Sequence, residues 1–330
     1  MDTTTNIAFI LVFMVVLAGS IVRMTGSGMG CPDWPKCFGL LIPPTSEDQV
    51  RWAPDTDYST GMMVIERDTL WRAVVDHTST DSSSPILDSA NWEPYTRHDY
   101  AEFNAVHTWI EYLNRLAGAL SGIPILLLFS LALTSRRRTP IILASGTLGS
   151  VLFVSWLGKL VVDGNLIPFS VTIHAVSALM ILVFLVAMMQ HLDGSKFTIS
   201  KRARFWIIAS LVLAFSQLVF GTQVREQVDL ALEAGVSRPD ILDSLPSWWK
   251  AHRTAVWPII AVHLLWAVPL LKNSGLRVFA GLALGILFAQ AITGVLFTQL
   301  GMPALVQPMH IMLGFGLILI DFRVLIATKL

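Results

Sequence analysis

Charge is what this sequence has least of. Only 14% of its 330 residues are Asp, Glu, Lys or Arg, where a soluble domain carries about a quarter. That excludes a water-facing surface for most of the chain. Basic and acidic residues number 23 each, so the net charge of zero says little about partners, and no nucleic-acid partner is expected. What matters is where the charges lie. Basic residues are missing from the opening Met1-Asp2-Thr3-Thr4-Thr5, so the first apolar run does not read as a cleaved signal peptide. Cysteine is scarce, with two in all.

What is abundant is apolar sequence: 54% of residues are hydrophobic and the mean hydropathy is +0.62. Runs of bilayer-spanning length, about 20 residues, fall near 6–22, 104–134, 139–162, 167–190, 203–224, 248–271, 276–299 and 304–327. The expected fold is an all-α membrane protein of eight transmembrane helices. Arg136, Arg137 and Arg138 follow span two; Lys196, Lys201, Arg202 and Arg204 lie between spans four and five; Lys272 and Arg277 lie between six and seven. Basic residues mark cytoplasmic loops. Both termini are therefore expected in the cytoplasm, with the long loop after span one outside. Cys31 and Cys37 fall in that loop, where an oxidising environment favours a disulfide or a redox-active dithiol.

Three features recur at matched positions. Gly19-Ser20-Ile21-Val22-Arg23 closes span one as Gly221-Thr222-Gln223-Val224-Arg225 closes span five. Asn114-Arg115 matches His252-Arg253, and Gly158 precedes His174 by the sixteen residues that separate Gly294 from His310. The chain thus reads as two pseudo-symmetric four-helix bundles, 1–190 and 191–330, related by an axis along the membrane normal. Arg23 and Arg115 stand 92 positions apart (115 − 23), Arg225 and Arg253 only 28 (253 − 225). The excess is an insertion, 41–102, outside the membrane. Short runs such as Met62-Met63-Val64 and Leu70-Trp71-Arg72-Ala73-Val74, broken by Gly, Ser, Pro and Asp, predict a small β element there. In the second half, a short amphipathic helix is expected around Val228–Ala234.

Of eight histidines, His77 and His98 lie in the outer loop and His191 at a cytoplasmic end; His107, His174, His252, His263 and His310 lie in or near spans. Ionisable groups in hydrocarbon are costly and face a partner or a cavity. At 1.5 Å per residue, His107, His174, His252 and His310 share a layer near the outer ends of the even-numbered spans, whereas His263 lies three turns deeper and reads as a buried, hydrogen-bonded residue. Two imidazoles on facing helices of one bundle can bind a heme iron from both sides. His252 and His310 are that pair. A transition-metal site is the rival reading, but it wants carboxylate or thiolate company that the second half lacks at this depth.

The first half differs. Asn114, a poor iron ligand, stands where the second half has His252. Glu111 and Arg115 can pair across one helical turn, and His107 lies about two turns further out than Asn114. An incomplete ligand set around His174 suits either an iron with an open position or a heme held as substrate rather than as fixed cofactor, with Glu111 beside it as a proton acceptor or cation stabiliser. A structural Glu111–Arg115 ion pair is the plainer alternative.

Gly19-x-x-Val22-Arg23-x-Thr25-Gly26-Ser27-Gly28-x-Gly30-Cys31-Pro32-Asp33-Trp34-Pro35-x-Cys37 resembles the first outer loop of bacterial heme A synthases. Glu111-Tyr112-Leu113-Asn114-Arg115 resembles that family's Glu-x-x-His-Arg element, and His174, His252-Arg253 and His310 match its other histidine positions. The resemblance implies an oxidoreductase of the bacterial inner membrane that oxidises a methyl group of heme O to a formyl, giving heme A for terminal oxidases. It implies a permanent heme b held by His252 and His310 with Arg253, and heme O bound at His174, Asn114 and His107, with iron at His174, His252 and His310. Glu111, with Arg115, is the implied catalytic group, and Cys31 and Cys37 a redox or loop-stabilising pair. The implied partners are the heme O synthase (a farnesyltransferase) and cytochrome oxidase assembly factors, in membrane lipid; a homo-oligomer is open. Asn114 departs from the family's histidine. Either His107 substitutes as ligand, or His174 holds the iron alone with Asn114 hydrogen-bonding nearby. The competing function is a heme b protein that passes electrons between thiols and quinone.

Overall fold

The computed structural model describes residues 1–96, 103–163 and 169–330. Its helices, in chain order, are α1 (Asp2–Thr25), α2 (Ala105–Thr134), α3 (Arg138–Asp163), α4 (Ser170–Asp193), α5 (Lys201–Glu233), the one-turn α6 (Ile241–Ser244), α7 (Trp249–Thr254), α8 (Val256–Leu270), α9 (Arg277–Gln299) and α10 (Val306–Ala327). Eight spans among them are long and apolar enough to cross a membrane, α7 and α8 together forming one. This is a multi-pass membrane protein. Helices are the natural form for such segments, because hydrocarbon offers no partner for a backbone N–H or C=O. Apolar side chains also face outward: Phe288 is 70% exposed and Leu152 62%.

The described residues form two compact units that do not follow chain order. The first comprises Met1–Ser20, Ser121–Val154 and Val171–Leu330. Within it α5 packs on α8, α8 on α9, α9 on α10 and α10 on α5, a closed bundle in which α8 and α10 stand on the diagonal. Ile207, Trp266, Leu276, Ala280, Ala283 and Val324 fill this bundle. A neighbouring core joins Ala8, Leu128, Ala144 and Leu182 to Leu218 of α5 and Phe315 of α10. At one end, β6 (Phe197–Thr198) pairs in parallel with β7 (Thr328–Lys329). Arg204 donates to the Thr328 carbonyl at 3.0 Å, so the basic connection between α4 and α5 lies against the end of α10.

The separate helix expected over Val228–Ala234 does not exist as such. Those residues are the last turns of α5, which runs unbroken to Glu233. An Arg225–Asp229 ion pair at 2.6 Å spans one of these turns, and Val228 is fully buried in a cluster with Ile241, Leu245 and Met302. The packing continues the helix past its apolar run.

The second unit comprises Ile21–Leu120 and Ser155–Ser170 and contains the β insertion. Five short strands are described: β1 (Asp57–Tyr58), β2 (Met63–Glu66), β3 (Thr69–Ala73), β4 (His77–Thr78) and β5 (Trp92–Pro94). Strands β2, β3 and β5 form an antiparallel sheet, with Val64 opposite Trp71 and Ala73 opposite Trp92. The β2–β3 turn, Arg67-Asp68, has both residues at positive φ, as a two-residue hairpin requires. Alternation sends Met63, Ile65 and Leu70 into one core with Cys31, Cys37 and Phe38, and Val64, Trp71 and Ala73 into another with Tyr58 and Trp92. His98, in this insertion, lies outside the described residues.

Candidate functional site

In the first unit, His252 of α7 and His310 of α10 face each other. Their ring centroids are 6.4 Å apart and their planes cross at 65°. A metal binds imidazole nitrogen at about 2 Å and the ring centre lies about 1 Å beyond, so two axial imidazoles on one iron stand about 6 Å apart between centres. The observed spacing fits. Small residues make the room. A Cβ on Gly221 of α5 would come within 3.0 Å of His252 Cε1, and one on Gly294 of α9 within 4.0 Å of His310 Cε1. Both glycines belong to the repeated motifs.

Polar neighbours hold the His252 backbone and the His310 ring. The Gln217 side chain donates to the His252 carbonyl at 2.6 Å. His252 Nδ1 is buried and meets no hydrogen-bond partner among the described residues, as suits a group reserved for something the protein does not supply. His310 Nδ1 lies 2.7 Å from the Thr293 hydroxyl, whose proton goes to the Gln290 carbonyl at 2.8 Å. Thr293 therefore accepts from His310 Nδ1–H, so Nε2 carries the lone pair. The Gln290 amide donates to that Nε2 at 3.2 Å, a contact that an iron bound there would displace. A tautomer fixed through the distal ring nitrogen is how proteins prepare a metal-binding histidine. The donor set is two neutral imidazoles in an apolar bundle, and it fits a heme iron. Among the described residues no cluster of three His, Cys, Asp or Glu side chains could hold a bare metal ion.

In the second unit the first turns of α2 hold the cysteine loop. Asn104 caps the helix, accepting from the N–H groups of Val106 and His107 at 3.0 and 3.1 Å. Gly30 packs on the backbone of His107, where a Cβ would lie 2.6 Å from its carbonyl, and Thr108 donates to the Gly30 carbonyl at 2.8 Å. Glu111 is buried. Its Oε2 accepts from Cys31 N–H at 2.9 Å, and its Oε1 pairs with Arg115. Arg115 donates further to the carbonyls of Asp33 at 2.6 Å, Lys36 at 3.1 Å and Cys31 at 3.4 Å. Cys31 and Cys37 form a disulfide, with Cα atoms 4.9 Å apart. Asn114 Oδ1 is buried without a partner among the described residues.

Other expected site residues are placed as follows. His174 stands in the fifth position of α4, in the first unit; nearby, Thr172 bonds Thr222 of α5 at 2.8 Å. Arg253 is exposed and lies over the Trp249 ring at 5.3 Å. His263 is fully buried and hydrogen-bonded, as expected, with Asp321 at 3.1 Å. Sequence reading missed Gln217, Gln290, Thr293 and Asp321. Thr293 adjoins the repeated Gly294, and a polar residue in an apolar span is a signal for each of them.

Facing, half-buried imidazoles inside a four-helix bundle, together with a disulfide-closed loop on another span, define a multi-pass membrane protein with a bis-histidine site. The chain matches the family model COX15-CtaA, cytochrome oxidase assembly protein, over residues 3–65 and 81–321, and it belongs to that family. The internal gap in that match, residues 66–80, falls in the β insertion. A heme A synthase of Shewanella oneidensis is 36% identical over 56 residues, which cover 16% of this chain and 17% of that one. The chain thus aligns with less than a fifth of that relative's length.

Proposed function

We propose that this protein is a heme A synthase, an oxidoreductase that converts a methyl group of heme O into the formyl of heme A. The observation that carries this reading is the 6.4 Å approach of His252 and His310. A heme b bound there would supply one-electron transfer. His252 and His310 would hold its iron, Thr293 keeps the His310 proton on Nδ1, and Arg253 is the cation assigned to the same cofactor. Heme O is the substrate. The residues assigned to it are His174 of the first unit and, in the second, Asn114 and His107, where the unpaired Asn114 Oδ1 is a group such a substrate could engage. Glu111 is assigned as its proton acceptor. Arg115 keeps the carboxylate in place and ties it to the Cys31–Cys37 loop.

A duplicated four-span unit, 1–190 and 191–330, underlies the two sites. The protein resides in a bacterial inner membrane with both termini cytoplasmic and the cysteine loop outside. That orientation agrees with the basic loops and with a disulfide, which needs an oxidising compartment. The enzyme upstream that makes heme O, and oxidase assembly factors downstream, are the expected partners.

Expression in a host that accumulates heme O tests the assignment. Mass spectrometry of extracted hemes should reveal the formyl product, and a well-folded, heme-loaded preparation that yields none contradicts the reading.

A further inference from the structure

His263 and Asp321 are fully buried on α8 and α10, the diagonal helices of the bundle, and join Nε2 to Oδ2 at 3.1 Å. Neither has a part in the proposed chemistry. Their placement follows that of the iron ligands. His263 lies eleven residues after His252 (263 − 252) and Asp321 eleven after His310 (321 − 310). At 3.6 residues per turn, eleven residues are close to three full turns, about 16 Å along the axis. Asp321 therefore shares a face of α10 with His310. His252 and His263 stand on either side of the break at Ala255 between α7 and α8, but the Ala255 N–H still bonds the Ala251 carbonyl at 2.9 Å, so the turn of α8 is carried into α7 and to His252. Ile259, Trp266, Ala267, Leu317 and Val324 pack around this level and offer apolar surface.

The proton count shows what kind of bond this is. His263 Nδ1 lies 2.8 Å from the Ile259 carbonyl, which can only accept, so Nδ1 carries a proton. Between Nε2 and Oδ2 there is then one further proton, whichever atom holds it. The pair is neutral overall and makes one bond across the diagonal. A bond between helices at the bundle's centre fixes both their separation and their rotation.

We propose that His263 and Asp321 are positioning residues: their bond sets the rotation of α8 and α10 so that His252 and His310 face each other at iron-binding distance. The glycines at the upper level open the space, and the lower bond fixes the register. This rests on the heme reading of the upper pair.

The test compares three variants of the full-length protein. In Asp321→Asn the amide N–H can still donate to His263 Nε2, and the wild-type low-spin ferric heme spectrum should persist. In Asp321→Leu the bond is lost and His263 is left with an unpaired nitrogen, a change that can also cost stability. His263→Leu/Asp321→Leu removes that complication, since replacing both partners of a buried pair with apolar groups is commonly neutral or stabilising. The double variant should unfold no earlier than wild type, yet show a shifted heme midpoint potential and a high-spin fraction. A readout free of heme accompanies it: spin labels on exposed positions, Trp257→Cys and Leu305→Cys, should give a broader distance distribution in the double variant. If the double variant keeps both the wild-type potential and the wild-type label distances, the positioning role is wrong. A protein without heme whose label distances still broaden would overturn the heme reading instead.

Discussion

The backbone N–H of Cys31 donates to Oε2 of Glu111 at 2.9 Å, so the carboxylate buried near the head of α2 also holds the loop that the disulfide closes. Arg115 completes the arrangement by binding the other carboxylate oxygen and three carbonyls of the loop. The disulfide loop and the Glu111 carboxylate are therefore one structural unit.

Glu111→Ala leaves Arg115 largely buried with no carboxylate, at a cost of about 3 kcal/mol. Thiol labelling after mild reduction should then report faster opening of the Cys31–Cys37 bond than in wild type. Glu111→Gln retains an acceptor for Cys31 and should open at an intermediate rate. Formyl production should fall further in Glu111→Ala than in Cys31→Ser; the opposite order favours electron transfer between thiols and quinone.

Before reduction no free thiol should label, because both cysteines are in the disulfide. Cys31→Ser should lower loop stability by about 2 kcal/mol, the entropy of closing so short a loop. Protection of loop amides from hydrogen exchange measures it.

Asp33 gives the loop a pH dependence. Burial pushes its carboxyl above the ordinary value of 3.8, against the lowering effect of the Gly39 N–H that bonds it at 3.0 Å. A raised carboxyl in the folded state means that folding takes up a proton. Stability is therefore highest in acid and declines as pH rises through the ordinary value to the raised one. Asp33→Asn, which keeps an acceptor for Gly39, should flatten that decline in a thermal unfolding series.

Gly221 and Thr293 test the upper site from two sides. Gly221→Val puts side-chain atoms against the His252 ring and should abolish heme b retention, read by pigment per protein; Gly221→Ala should weaken it. Thr293→Val removes the acceptor for His310 Nδ1. Loss of such an orienting partner typically costs 10- to 100-fold in metal affinity, so heme should dissociate at least about tenfold faster.

Every span is legible in the amino-acid sequence as an apolar run, because lipid imposes length and composition together. The alternating run from Met62 to Val74 likewise marks the sheet. The end of α5 is not legible: its last turns are polar and are held by Val228 packing against Ile241, residues that come together only in the fold. At the site, the histidines announce themselves as costly groups in hydrocarbon. Their partners are polar residues in apolar spans and so carry a signal too, but which imidazole each of Gln290, Thr293 and Asp321 bonds is settled only when the helices pack. Glu111 stands out by its spacing from Arg115, but its bond to Cys31 spans eighty positions and no local pattern encodes it.

The most direct test is the low-temperature EPR spectrum of the detergent-purified ferric protein, beside His252→Ala and His310→Ala. A low-spin bis-imidazole signal in wild type that vanishes in both variants is the predicted result. Retention of the full low-spin signal by both variants would contradict it.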